Sequence, residues 1–484
     1  MLARRRNIHM KTFIGRAQEQ AEFARLFEKP VASLVTCQGR RRIGKSRFIT
    51  ECAKKASHFL SFTGLPPREG LSKQEQLNAF ASQLAAQSNA PRLVLDSWPT
   101  AFQLLASQIP ATGSVVVLLD EISWMGIGDP DFAGHLKSAW DMHFSSRRSL
   151  VLVLCGSVSS WIQRNILNST AFVGRCSWQF FLQPLALPEC AEFWGRRKVA
   201  PAEKLRLLAV TGGVPKYLEE IVPSKTAEQN IESLCFNPGG ILFNEFDSIS
   251  HDIFSRKAGA YRDIVRTLVA GPRTVQQVST ALGRSRGGGL SAALEDLEGA
   301  GFIRKDVAFD PVSGATRSRD IRFRLSDNYL RFYLKYVDPV RERIKKGLFQ
   351  YSPLETLQAW DTIMGLQFEN LVLGSLTAIM DIAGLANVPV LNAGPYSQNK
   401  TQRHAGCQID LLLRTSQSLY VFETKFRKQI SSKVIAEMQE KVSRLRSQRG
   451  FSVRTGLIYQ GELDPEIPRS DYFDFLIPAG DLLQ

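Results

Sequence analysis

The segment Gly39-Arg40-Arg41-Arg42-Ile43-Gly44-Lys45-Ser46 spells G-x-x-x-x-G-K-S, a pattern that dictates the chain on either side of it. A loop of this kind needs a strand leading in and a helix leading out. The apolar stretch Val31–Thr36 predicts the strand, and Ser46–Ala56 predicts the helix. Glycines let backbone N–H groups turn inward around a phosphate, at a helix N-terminus whose dipole favours negative charge. Gly39, Arg42, Gly44, Lys45 and Ser46 are therefore the candidate nucleotide contacts, with ATP and Mg²⁺ as the expected cofactors. Lys45 reaches for the β- and γ-phosphates, and the Ser46 hydroxyl for the metal. The competing reading, a chance match in a Gly/Arg-rich turn, leaves the flanking strand and helix unexplained.

Val115-Val116-Val117-Leu118-Leu119 is a continuous apolar run, as expected of a strand buried on both faces, and it ends in Asp120-Glu121. Carboxylates at the carboxyl end of such a strand stand at the mouth of the sheet, where ligands bind. Asp120 is the candidate Mg²⁺ holder, directly or through water, and Glu121 the candidate activator of the attacking water. The alternative is a strand that simply ends in two surface acids. A third apolar strand, Leu150–Cys155, runs into Gly156-Ser157.

At 484 residues the chain is too long for one ordinary core, and two to four domains are expected. Lys and Arg total 61 against 46 acids, and a formal charge of +15 suits a polyanionic partner. Seven cysteines with no C-x-x-C pair argue against a disulfide framework or a zinc site, so a reduced, cytoplasmic compartment is expected. The basic start Met1–Arg6 is followed by no apolar stretch of signal-peptide type, no apolar run reaches membrane-spanning length, and Met10 is an alternative start.

Phe13-Ile14-Gly15-Arg16, the Arg-rich loop, Leu119-Asp120-Glu121, Cys155-Gly156-Ser157, Gly174-Arg175 and Gly212-Gly213-Val214-Pro215-Lys216-Tyr217-Leu218 follow one another along the chain. In that order, over Phe13 to Leu218, they resemble the archaeal-type ATPase group related to the AAA+ and STAND NTPases. The resemblance implies that Gly213 and Pro215 lie near the adenine. It implies that the strand between loop and acid pair brings a polar side chain to the γ-phosphate, with Ser157 the candidate and an ordinary turn serine the competitor. It also implies that Arg175 acts as an arginine finger or sensor, against the alternative of pairing with a surface acid. Ala17 departs from the pattern, standing where an acid usually follows the arginine.

Tyr261–Ala270, Thr274–Leu282 and Leu290–Ala300 have helical spacing, and Thr274 is an expected N-cap. Ile303–Phe309 and Ile321–Leu325 read as strands around an Asp310–Gly314 tip, which together predict a winged helix-turn-helix. Arg284 and Arg286, just before the third helix, are candidate phosphate contacts. Such a module either binds DNA or serves as a rigid lid or protein contact.

Near the C-terminus, Gln408–Leu413 and Leu419–Phe426 are apolar strands around a predicted Ser416-Gln417 turn. That turn sets Asp410 directly across from Glu423, with Lys425 on the same face. Two opposed acids repel unless a cation joins them, and oxygen ligands suit Mg²⁺ or Mn²⁺. Glu369 shares a predicted helical face with Leu366, Val372, Leu373 and Leu376, an awkward place for a lone carboxylate. Asp410 followed by Glu423-Thr424-Lys425, with Glu369 upstream, resembles the signature of the PD-(D/E)xK nucleases. About Leu354 to Gln484 looks like the nuclease-related domain that often follows this ATPase. The resemblance implies that Asp410 and Glu423 bind metal, Lys425 positions water or stabilises charge, and Glu369 supports the site. His404 and Cys407 are too few for zinc. Ser431–Arg446 reads as an amphipathic helix whose Lys433, Lys441 and Arg444 are either phosphate contacts or a solvated face.

The expected architecture is multidomain α/β: a P-loop AAA+/STAND-like core with helical lid (11–250), a winged helix-turn-helix (258–326), a helical linker (327–353) and a restriction-endonuclease-like α/β domain (354–484). The expected partner is nucleic acid, DNA foremost, with self-association through the ATPase core. The alternatives are an ATP-switched DNA-binding regulator with a silent nuclease fold, or a STAND-type protein-interaction switch.

Overall fold

The computed structural model describes residues 12–88, 91, 93–157, 159–249, 258–283, 287–400, 405–445 and 450–484. Met1–Arg6, Met10, Arg284, Arg286, His404 and Arg446 lie outside the described residues. The chain forms two compact units, one taking residues up to Cys37, Gly44–Gly156 and Arg164–Phe180, the other Gln38–Ile43, Ser157–Gln163 and Phe181–Gln484. By packing, the helices after Phe181, grouped with the ATPase core in the sequence reading, belong with the second unit.

Five strands make the first sheet: β1 (Ser33–Gly39), β2 (His58–Thr63), β3 (Val115–Asp120), β4 (Leu150–Gly156) and β5 (Cys176–Leu182), in the order β2-β3-β4-β1-β5. β2 and β4 run parallel to β3, with Thr63 opposite Asp120 and Leu119 opposite Leu154. β1, β3 and β4 are buried along their whole length, as their unbroken apolar runs require. Val31 is 57% exposed and lies before β1, so the predicted strand starts two residues later and continues into Gly39. The helix after the loop spans Lys45–Ala53 and turns its Phe48, Ile49 and Cys52 inward.

In the second unit, helices Ala258–Thr267, Val275–Ala281 and Gly288–Gly299 precede the antiparallel pair β6 (Ile303–Phe309) and β7 (Thr316–Leu325). An isolated antiparallel bridge joins Arg273 to Phe323 of β7. The middle helix begins where its capping residue predicts. Thr274 accepts from the Gln277 N–H, and the Gln277 side chain reaches back to the Thr274 N–H. Thr274→Ala removes the hydroxyl acceptor of the first bond while the backbone donor of the second remains, and it is expected to cost about 1 kcal/mol, read as a lowered midpoint in denaturant unfolding.

The C-terminal sheet holds β8 (Asn392–Gln398), β9 (Cys407–Arg414), β10 (Ser418–Ile430), β11 (Ser452–Leu463) and β12 (Phe475–Pro478), in the order β12-β11-β10-β9-β8. β8, β9 and β10 are antiparallel neighbours, whereas β10, β11 and β12 run parallel. Helix Lys433–Arg444 makes the β10-to-β11 crossover and buries Val434 and Met438 in a core with Leu419, Val421 and Leu457. Helix Trp360–Leu373 ends at Gly374, and the chain bends by 75° into Leu376–Ile382. Leu376 is therefore off the predicted Glu369 face, whereas Val372, one of its predicted members, is buried with Glu369. Among the described residues, no single helix is long and apolar enough to cross a membrane.

Candidate functional site

The phosphate loop turns on three residues with positive φ: Gly39 at 149°, Arg42 at 68° and Gly44 at 89°. Gly44 is the N-cap of helix Lys45–Ala53, so the loop's N–H groups converge at that helix start. Lys45, the first helical residue, is only 6% exposed. Ser46 Oγ donates to Asp120 Oδ2 at 2.6 Å, which ties the loop to the end of β3. Glu121 follows with φ 48°, a left-handed conformation uncommon for a side chain of its size. Its N–H donates to Asp120 Oδ1 at 3.0 Å, while its carbonyl accepts from Trp124 N–H at 2.8 Å. The strand thus ends in a sharp corner that separates the two acids, a device of constrained backbone typical of reactive sites.

Residues 38–43 pack in the second unit, where the loop's arginines find carboxylates. Buried Arg40 donates to Asp327 and, at 3.0 Å, to the Tyr217 hydroxyl. Burial opposes the Arg40 charge, and the Asp327 carboxylate more than offsets it, so the guanidinium pKa is raised. Arg42 Nε donates to both Glu245 oxygens at 3.1 and 3.2 Å, and Tyr217 Oη donates to Oε1 of the same acid at 3.1 Å. The Arg42 side chain, a predicted nucleotide contact, is thus committed to Glu245. No local spacing signals either pair, since the partners lie 287 and 203 positions downstream.

Ser157 is buried directly after β4, the strand between β1 and β3. Arg175 is held bidentately by Asp141 at 2.8 and 3.0 Å, the ion-pair alternative of the sequence reading. Gly213 accepts at 2.8 Å from the Leu185 N–H, and a Cβ there would stand 2.3 Å from the Leu185 carbonyl oxygen. Pro215 opens the short helix Pro215–Leu218.

In the C-terminal sheet the predicted hairpin forms, with Thr415 N–H donating to the Ser418 carbonyl at 3.0 Å. The register runs from Leu419 opposite Arg414 to Phe422 opposite Leu411, as predicted, and regular pairing stops there. One residue on, Asp410 accepts from both the N–H and the hydroxyl of Thr424, at 2.8 and 2.9 Å, in place of a simple face-to-face Asp410–Glu423 pair. Lys425 meets Glu423 at 3.0 Å and Glu437 at 2.9 Å. Lys441 also pairs with Glu423, which its position three residues beyond buried Met438 foreshadows.

Burial and then the Asp410 charge raise the pKa of Glu423, with Lys441 and Lys425 partly opposing. The same two causes push Glu369 up to about 7. The acids therefore feel one another, as oxygen donors for a divalent cation would. Among the described residues, no group of three or more His, Cys, Asp or Glu is arranged to hold a metal ion. The raised Glu369 pKa makes a stability prediction in chelator. The folded state favours the protonated acid, so this contribution is complete below about pH 4.5 and is lost as pH rises through about 7. Glu369→Gln should melt above wild type at pH 8, by roughly 1–3 kcal/mol, and by much less at pH 5.

The loop, the Ser46–Asp120 link and the placement of β4 between β1 and β3 define a P-loop ATPase fold of AAA+ type, to which further α/β elements are attached. No protein-family model matches the chain. It is 20% identical over 405 residues to "Uncharacterized protein MJECL04" of Methanocaldococcus jannaschii, covering 83% of this chain and 84% of that one. Similar solved structures include the Walker-type ATPase PABY2304 of Pyrococcus abyssi (16% identity, TM-score 0.47, 66% of this chain and 96% of that chain). The Aeropyrum pernix ORC2 protein is another (13%, 0.40, 70% and 97%). A third is the STAND protein PH0952 of Pyrococcus horikoshii, with a tetratricopeptide repeat sensor (15%, 0.30, 76% and 50%).

Proposed function

We propose that this chain hydrolyses ATP, interacts with DNA, and carries in its C-terminal domain a Mg²⁺-dependent nuclease of PD-(D/E)xK type. The observation that carries the ATPase reading is the 2.6 Å Ser46–Asp120 hydrogen bond at the foot of the phosphate loop. Ser46 and Asp120 would hold Mg²⁺, which when bound draws charge from the phosphate oxygens. Lys45 binds the β- and γ-phosphates, and Glu121 takes the proton of the attacking water. Ser157 serves the γ-phosphate side, Gly213 and Pro215 the adenine side. Arg175 joins catalysis only if Asp141 releases it.

For the nuclease, support comes from the β8–β12 order, the Asp410–Thr424 contact and the shared electrostatics of Glu369, Asp410 and Glu423. Asp410 and Glu423 would hold Mg²⁺ or Mn²⁺, which supplies Lewis-acid stabilisation of the phosphodiester oxygens. Lys425 places positive charge beside the scissile phosphate, and Glu369 buttresses Asp410. The three-helix hairpin module, read as a winged helix, would present helix Gly288–Gly299 to DNA.

A second reading is an ATP-switched DNA-binding regulator with a silent nuclease-like domain. The occupation of Glu423 by both Lys425 and Lys441 favours it. The deciding experiment incubates the full chain with supercoiled and linear DNA, with Mg²⁺ or Mn²⁺ and with or without ATP. Metal-dependent nicking supports the nuclease. ATP hydrolysis without cleavage of DNA or RNA moves the regulator reading forward, and DNA binding indifferent to salt points to a protein-interaction switch.

A further inference from the structure

Strands β6 and β7 place Arg304 directly opposite Arg324. Like charges facing each other across a ladder are destabilising, so the pair needs an explanation. Arg324 is neutralised by Asp306, with contacts at 2.9 and 3.2 Å, and also donates to Asn370. Arg304 donates to the side-chain oxygen of Gln183, a neutral acceptor. Burial, and then the charge of Arg324, lower the Arg304 pKa, with Asp306 and Glu298 partly opposing.

Both arginines line a cavity of about 750 Å³ within the second unit. Its lining also includes Lys305, the acids Glu298 and Asp327, of which Asp327 is paired with Arg40, and the apolar Leu185, Val214 and Leu371. An apolar cleft of this size with a few convergent charges is what a small-molecule site provides. Arg40 and Gly213, the latter proposed above for the adenine side, belong to the lining, whereas the two facing arginines and Lys305 have no part in the ATPase reading.

We infer that this cavity is a ligand site in its own right, taking a small phosphate-bearing molecule whose anion lies between Arg304 and Arg324, away from Gly213, and whose apolar part lies against Leu185, Val214 and Leu371. The bound anion relieves the repulsion and gives Arg304 a charged partner. The site reaches the acid cluster through hydrogen bonds already in place. Asn328, in the cavity wall, accepts from Asn370 at 2.8 Å, and its backbone carbonyl accepts from Gln367 at 2.7 Å. Those two residues flank Glu369 on one helix, so the cavity wall is hydrogen-bonded to the helix that carries this acid.

The test is calorimetric titration of the full chain carrying Lys45→Ala, with AMP and with pyrophosphate as probes. One-to-one saturable binding of either probe is expected, weakened about ten-fold or more when Arg304→Gln is added. Pyrophosphate alone would indicate a site that reads the anion; AMP alone, one that also needs the apolar wall. No saturable binding of either probe, or binding indifferent to Arg304→Gln, overturns the inference. Without ligand, Arg304→Gln should melt no lower than the parent, because it relieves the like-charge pair. A clear drop would show Arg304 to be a structural member and would equally overturn it. None of these outcomes depends on whether the chain cleaves DNA.

Discussion

Lys45→Ala lowers ATP turnover by about 10²–10³-fold, the loss expected when one preorganised charge is removed from the site of developing phosphate charge. Lys45 starts the helix at the loop's end and is nearly sealed from solvent, so its ammonium is held in place before a phosphate arrives. The alanine side chain fits the same helical turn, and the Ser46–Asp120 hydrogen bond is left in place. Phosphate release should therefore collapse while the melting temperature moves little. Asp120→Asn provides the complementary case, since it keeps an acceptor for Ser46 but discards the charge for the metal. A Lys45→Ala protein that hydrolyses ATP within ten-fold of wild type would remove the loop from the catalytic site.

Asp410→Ala is expected to reduce metal-dependent cleavage by about 10²–10³-fold, equivalent to several kcal/mol of lost Lewis-acid stabilisation. The substitution also frees the N–H and hydroxyl of Thr424, which converge on one oxygen of Asp410. Asp410→Asn separates these effects, because its amide oxygen can still accept from Thr424 while the charge is gone. Cleavage lost equally in Asn and Ala variants assigns the loss to metal binding; cleavage retained in Asn assigns it to the corner around Thr424. Both variants should also lower the Glu423 and Glu369 pKa values, since the Asp410 charge is the second cause of each rise. Carboxyl titration followed by NMR reads this directly, and unchanged values would separate Asp410 from the cluster.

Local pattern was enough for the parts of the fold that local physics governs. The apolar runs before Asp120 and Gly156 announce strands buried on both faces, and Thr274 announces a helix start through a bond three residues away. The Ser416-Gln417 turn predicts its hairpin register because a short turn leaves the strands little choice. The register did not reveal that the ladder stops at Phe422, because Thr424 offers Asp410 two donors that pull it off the regular pairing. The spacing leaves Lys441 either solvated or phosphate-facing, whereas in the fold it pairs with Glu423, three residues beyond buried Met438. Arg40–Asp327 and Arg42–Glu245 were illegible, since partners so distant in the chain leave no periodicity to read.

Those two distant pairs set an order of events during synthesis. Residues 40 and 42 leave the ribosome long before Glu245 and Asp327 exist, so the nascent loop carries cations without the carboxylates that later hold them. Contacts of such sequence separation form late, after loop closure across hundreds of residues. The emerging N-terminal half therefore acquires its finished phosphate loop only when the chain has grown past residue 327. The two arginine pairs thereby make the finished shape of an early segment depend on residues made much later.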